Sequence, residues 1–184
     1  MRLRVVRRGH RLRQKLLLAL FPLLARSKPT DFMRILMYRP ELFGKPFGKY
    51  AEAALRGPSS WSVGEREMFG AYVSTLNECD FCADLHCAIA ARALGRSDVF
   101  AGNRPEVVAV LDFLRRLESG SVGSDDLAPL RAAGLTDQAI MEAVHAATVL
   151  TVANRVVTAL GARKANPGQR DSTAAMLLKL GYDL

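Results

Sequence analysis

Aromatic residues make up only 7% of this 184-residue chain, with a single Trp, and β-branched residues are sparse. Nothing in it reads as a half-buried strand, which excludes a sheet-based fold. Cysteine is equally scarce: three in all, an odd number in a mid-sized chain, which does not make a secreted disulfide framework and favours a reducing cytoplasm. Internal repeats, low-complexity tracts and long linkers are absent, so the expectation is one compact domain over 1–184. The apolar run at 16–25 has ten residues, too short for a membrane span, which needs about 20.

The first 30 residues lack acids altogether. They carry nine Lys/Arg, whereas the remaining 154 residues carry 17 bases against 18 acids. The formal charge of +8 is therefore confined to an N-terminal arm. The body has no basic surplus to neutralise a phosphate backbone and no recognition motif, so nucleic acid is not an expected partner. A basic stretch before an apolar run, with Ala25-Arg26-Ser27 as a passable cleavage site, is also the pattern of an export signal. We read the arm, residues 1–30, as an amphipathic helix of the folded protein. Contact with a membrane surface of acidic lipid is the further option its charge leaves open. On this reading residues 1–14 are expected to be dispensable for chemistry.

What is plentiful points to helices. Apolar residues are 49% of the chain, Ala, Leu, Arg and Glu dominate, and the apolar spacing is mostly three and four. The expected fold class is all-α, with helices near 11–25, 30–39, 46–56, 63–76, 79–95, 104–118, 125–133, 136–160 and 172–180. Pro46 suits a first helical turn and Gly57-Pro58 a stop. Ser62-Val63-Gly64-Glu65 is a capping-box pattern, and Thr136 is a further N-cap.

All three cysteines and His86 fall between positions 79 and 87. On a helix Cys79, Cys82 and His86 share one stripe, because steps of three and four both return to the same face. Cys87 looks away from it and reads as a small buried hydrophobe. A helix N-terminus, a nearby imidazole and a second thiol all favour thiolate. The stripe suits redox work. It also suits zinc, although a structural zinc site wants four ligands and the rest of the chain offers only His10 and His145. An inert helix with a chance Cys-x-x-Cys is the third option.

The stretch WSVGEREMFGAYVSTLNECDFCADLHCAIAARALG resembles the active-site segment of the AhpD-like, carboxymuconolactone decarboxylase superfamily, over about 58–95 and more weakly in YRPELFGKPF and ANRVVTALG. In the peroxidase branch a Glu stands twelve positions before the first Cys of Cys-x-x-Cys and a His four after the second. Glu67, Cys79, Cys82 and His86 occupy those positions. The resemblance implies an all-helical fold assembling as a homotrimer or homohexamer, without bound metal or organic cofactor. It also implies reduction of a hydroperoxide substrate by a cysteine pair that an external dithiol, in the best-described case a lipoyl-bearing adapter, re-reduces. Where that peroxidase has a second histidine just before the second Cys, this chain has Phe81.

Within the site we expect Cys82 to attack, His86 with Glu67 to take its proton, and Cys79 to resolve, although the helix dipole favours the thiol at the first turn. Glu65 is assigned to the capping box, His145 to a hydrogen-bonded core or interface position, and Asn154 and Arg155 to structural polar contacts. Phe69 and Tyr72, one turn apart, are expected to line the thiol pocket, with core packing as the alternative. A non-enzymatic thiol sensor, a zinc-stabilised helical oligomer and a lactone decarboxylase are the competing functions.

Overall fold

The computed structural model describes residues 1–25 and 28–183, so two positions of the 25–27 cleavage pattern, Arg26 and Ser27, lie outside it. Among the described residues every regular element is a helix: α1 (Arg4–Arg8), α2 (Leu12–Ala25), α3 (Asp31–Tyr38), α4 (Lys45–Arg56), α5 (Val63–Leu76), α6 (Asp80–Leu94), α7 (Pro105–Glu118), α8 (Ala128–Ala132), α9 (Asp137–Leu160) and α10 (Pro167–Leu180). A π-helical turn, Pro40–Gly44, precedes α4, and a 3₁₀ turn, Ser124–Leu127, precedes α8. The all-α expectation holds. Two starts differ: α1 is an additional helix, and α10 begins at Pro167, with Asn166 as its cap, rather than near 172.

The centre is the α5–α6 hairpin laid against α9. Its starts and stops follow local chemistry. The Ser62 hydroxyl accepts from the Glu65 amide, and Glu65 Oε2 accepts from the Ser62 amide at 2.8 Å, so the capping box is complete. Asn77 caps the far end, and Glu78 takes the left-handed conformation (φ 53°), a rare one for a side-chain-bearing residue, to turn the chain into α6. Cys79 then becomes the N-cap of α6. Small residues set the helix spacing: a Cβ on Gly70 would meet Leu150 of α9 at 2.7 Å, and one on Gly64 would meet Leu94 of α6 at 2.6 Å. Either substitution would require the facing leucine or its helix to shift.

Around this trio, α4 packs on α9 and α5, and α7 covers the other side of α5. Leu55, Met68, Phe69 and Leu150 are all but fully buried, each stabilising by about 1.5–3 kcal/mol. Helix α10 lies on α6 through Ala174 and Leu177 against Ile89.

The arm belongs to the fold. Arg2 donates to the Thr158 and Ala159 carbonyls at 2.8 and 3.1 Å, where α9 ends, and its amide donates to Leu160 O. His10 Nε2 lies 2.9 Å from the Arg34 carbonyl, and Val6 and Leu18 are buried. These ties agree with the reading of the arm as part of the folded protein. A guanidinium at the C-terminal carbonyls of a long helix is favoured by their partial negative charge, which explains why Arg2 is held there.

Candidate active site

Four segments converge on the Glu67 carboxylate. Glu67 lies on α5, wholly buried, with Oε2 at 2.6 Å from His86 Nδ1 on α6. Its Oε1 receives Arg56 Nη1 from the end of α4 at 2.6 Å and the Tyr182 hydroxyl, beyond α10, at 2.8 Å. The Tyr182 ring stacks on the His86 ring, with centroids 6.3 Å apart and planes 10° from parallel, and the Arg56 guanidinium sits over the Tyr182 ring, 4.8 Å from its centroid. Every oxygen of the carboxylate therefore has a donor.

Burial pushes the Glu67 carboxyl up, but the charge and hydrogen bond of His86 and the Arg56 charge outweigh it and hold the group below its usual value. Burial, with Glu67 close by, pushes the Tyr182 phenol well above its usual value, so it stays a donor. With Nδ1 tied to Glu67, the nitrogen of His86 left for chemistry is Nε2.

Cys79 and Cys82 are both buried and unbonded to each other, one helical turn apart as the stripe requires. Hydrogen bonding from the Cys82 thiol, against the opposing effect of burial, and then from the Cys82 amide, lowers the Cys79 thiol to about 6. The Cys82 thiol is pushed up, first by that same bond to Cys79 and then by burial. The pair thus holds one proton, on Cys82, and the negative charge rests at the helix entrance, where the helix dipole favours it. Cys87 is half-buried, and burial raises its thiol.

Access divides the two sulfurs. Cys82 and His86 line a cavity of about 730 Å³ that runs between α2, α3, α4, α6 and α10; Cys79 is not among its lining residues. Phe81, in place of the second histidine, is buried, lines the same cavity and tilts against Phe32 at 6.3 Å. This side of the pair is apolar.

The structure brings Glu67, Cys79, Cys82 and His86 into one region, as expected. Arg56 and Tyr182, which complete the carboxylate's shell, were not anticipated from sequence. The remaining candidates sort themselves. Glu65 holds the capping box and pairs with Arg104 at 3.0 Å. His145 is exposed rather than in the core, its Nδ1 2.9 Å from the Tyr50 hydroxyl. Asn154 is buried and accepts from Ser74 at 3.1 Å, whereas Arg155 is exposed. Phe69 packs edge-on against Trp61 at 5.0 Å and Tyr72 tilts against Phe100 at 5.8 Å; neither lines the cavity, so their role is packing. Among the described residues no group of three or more His, Cys, Asp or Glu is placed to hold a metal ion.

One measurement follows from the shared proton. The ultraviolet absorbance of thiolate should titrate with a midpoint of about 6 in the reduced protein. Cys82→Ala should move that midpoint up toward the ordinary thiol value of about 8.5, since the donor that lowers it is removed. An unchanged midpoint would assign the shift to something other than Cys82.

Comparison with known proteins agrees with this fold. Residues 41–99 match the model of the Carboxymuconolactone decarboxylase family. No curated protein matches the chain. Among solved structures, an uncharacterized peroxidase-related protein from Silicibacter sp. TM1040 superposes with a TM-score of 0.72 at 22% identity, over 86% of each chain. An alkylhydroperoxidase AhpD core, an uncharacterized peroxidase-related protein from Ralstonia eutropha JMP134, gives 0.73 at 22% identity over 89% of this chain and 91% of that one. Over residues 41–99, about a third of its length, the chain is thus similar to the Carboxymuconolactone decarboxylase family, and it shares the all-α fold of these two structures.

Proposed function

We propose that the protein is a cysteine-based hydroperoxide reductase whose Cys79/Cys82 pair is re-reduced by an external dithiol. The observation that carries this reading is the opening of Cys82 and His86 onto one cavity, with Glu67 behind the imidazole and a second thiol against the first. In the first step His86 Nε2 takes the Cys82 proton, the sulfur attacks the terminal oxygen of ROOH, and the O–O bond breaks. The alkoxide leaves as ROH with the proton from His86, and Cys82 becomes a sulfenic acid.

The Cys79 thiolate then attacks the Cys82 sulfur, forming the disulfide and releasing hydroxide, which takes a proton from solvent to become water. The lowered pKa of Cys79 suits this step, since it is thiolate at neutral pH. The sum at neutral pH is ROOH plus one thiol, one thiolate and one solvent proton giving ROH, water and one disulfide. When an external dithiol attacks Cys82 in turn, Cys79 leaves readily, because the thiol of lower pKa is the better leaving group.

The test is stoichiometric. Mild peroxide should consume one ROOH per chain and form a Cys79–Cys82 disulfide, leaving Cys87 free by mass mapping after alkylation. Added dithiol should then restore turnover. A Cys82–Cys87 link, or no disulfide with peroxide unconsumed, would sink the reading. One zinc per purified chain would favour a metal-stabilised assembly instead. Assembly as a homotrimer or homohexamer is part of the proposal and is checked by light scattering.

A further inference from the structure

The chemistry at Cys82 leaves open what occupies the cavity in front of it. At about 730 Å³ the cavity falls within the range, about 300–1,000 Å³, of sites that enclose organic ligands, and it is far larger than hydrogen peroxide requires. Its walls are apolar: Phe21 of the arm, Met33, Phe47, Phe81, Met176 and Leu180. Its polar groups include Gln14, Thr30 and Thr173; the buried Cys82 and His86, with Tyr182 stacked on His86, mark its inner end.

At the outer end Arg11, Arg13 and Lys45 line the cavity and are exposed, so they mark its mouth. Glu41, the carboxylate there, is taken by Arg11 at 2.7 Å. Among the described residues Arg13 and Lys45 have no carboxylate partner, which leaves the mouth net positive.

We propose that this cavity binds a long-chain carboxylic acid carrying a hydroperoxide group, with the carboxylate at Arg13 and Lys45 and the chain laid along the apolar wall toward Cys82. The inference rests on the peroxidase reading for its –OOH group, but its binding half stands without it. An apolar chain fills a space that would otherwise hold poorly bonded water. The anionic head meets the cations left unpaired at the mouth. The arm contributes both the mouth arginines and part of the wall, so ligand choice resides largely in the segment that carries the chain's surplus charge.

The experiment separates the two halves. Titration calorimetry with saturated acids of 8, 10 and 12 carbons should show affinity rising about fourfold per added methylene, the factor that burying one CH₂ supplies. The alcohol of equal length should bind more weakly than the acid in the native protein. In Arg13→Ala/Lys45→Ala that preference should vanish, with the acid losing about two- to tenfold, the range for exposed charge pairs. Met176→Trp, which narrows the cavity, should weaken binding of both while the thiolate titration stays unchanged. Affinity indifferent to chain length, or an acid preference that survives the double substitution, overturns the proposal.

Turnover then distinguishes the failures. A hydroperoxy octadecadienoic acid should exceed tert-butyl hydroperoxide in kcat/KM, and Arg13→Ala/Lys45→Ala should narrow the gap through KM. Length-dependent binding with no turnover of either peroxide would remove the peroxidase reading and keep the site. Equal turnover of both, with no acid binding, would remove the site and keep the peroxidase.

Discussion

Cys82→Ser protein is expected to form no sulfenic acid in a single turnover with peroxide, whereas Cys79→Ser protein should accumulate it on Cys82. A dimedone-type trap with mass mapping reads both. The two sulfurs divide the requirements of a nucleophile: Cys79 is thiolate near neutral pH but sits off the cavity, while Cys82 faces the cavity with its proton still on. A peroxide can only react with a sulfur it touches, so access decides the first step and acidity the second. Without Cys79 the sulfenic acid has no resolving partner and should proceed to sulfinic acid on excess peroxide, ending turnover. His86→Ala should slow trapping by about 10²-fold, the lower range for a positioned base. Trapping only on Cys79 would reverse the roles. Slow trapping on both, indifferent to His86, would remove the case for a built peroxidase site.

The second large effect concerns stability. Glu67→Gln should destabilise the fold by about 3–5 kcal/mol, the cost of leaving one member of a buried ion pair without its partner. For a chain of this length that corresponds to about 6–20 °C in Tm by calorimetry. Arg56 is the charge left behind, with its side chain 10% exposed, and the amide of Gln cannot accept from Arg56, Tyr182 and His86 as a carboxylate does. Combining Glu67→Gln with Arg56→Met removes both charges and should recover part of the loss. A double variant no more stable than the single one would mean that Glu67 holds the fold through His86 and Tyr182 rather than through Arg56. Since His86 also loses its anchor, Glu67→Gln protein that is still folded should lag in sulfenic-acid trapping as His86→Ala does.

Local signals carried much of this far. The Cys79, Cys82 and His86 stripe needs only helical spacing, and the capping box at Ser62 and Glu65 is readable from four residues. Gly95 and Gly161, both in the left-handed conformation, end α6 and α9 as helix-stop glycines do. What escaped depends on distance along the chain. Tyr182 reaches Glu67 across 115 positions, and nothing in a Gly-Tyr pair after a short helix announces a carboxylate partner. Arg56 reads as one more base in a helix's last turn, where a cation is expected on dipole grounds alone. Phe69 and Tyr72 were assigned to the pocket because periodicity shows which residues share a face, but α5 is covered by α6, α9 and α7 on separate sides. Burial on so many faces leaves no pattern to mark the one that meets the cavity. In the arm, exposed leucines and arginines hide the few side chains, Val6, His10 and Leu18, that fasten it.

The single proton held between Cys79 and Cys82 also governs how the pair responds to acidity as an electron carrier. Below pH about 6 both thiols are protonated, so forming the disulfide releases two electrons and two protons. Above it only one proton leaves with the two electrons. The midpoint potential of the couple should therefore fall by about 59 mV per pH unit on the acid side and by about 30 mV on the neutral side, since for two electrons a tenfold change corresponds to about 30 mV. Relative to an ordinary dithiol, which keeps the steeper slope to about pH 8.5, the pair becomes a weaker reductant as the medium turns alkaline. Its oxidised fraction against a fixed reductant would thus depend on the pH at which the two meet.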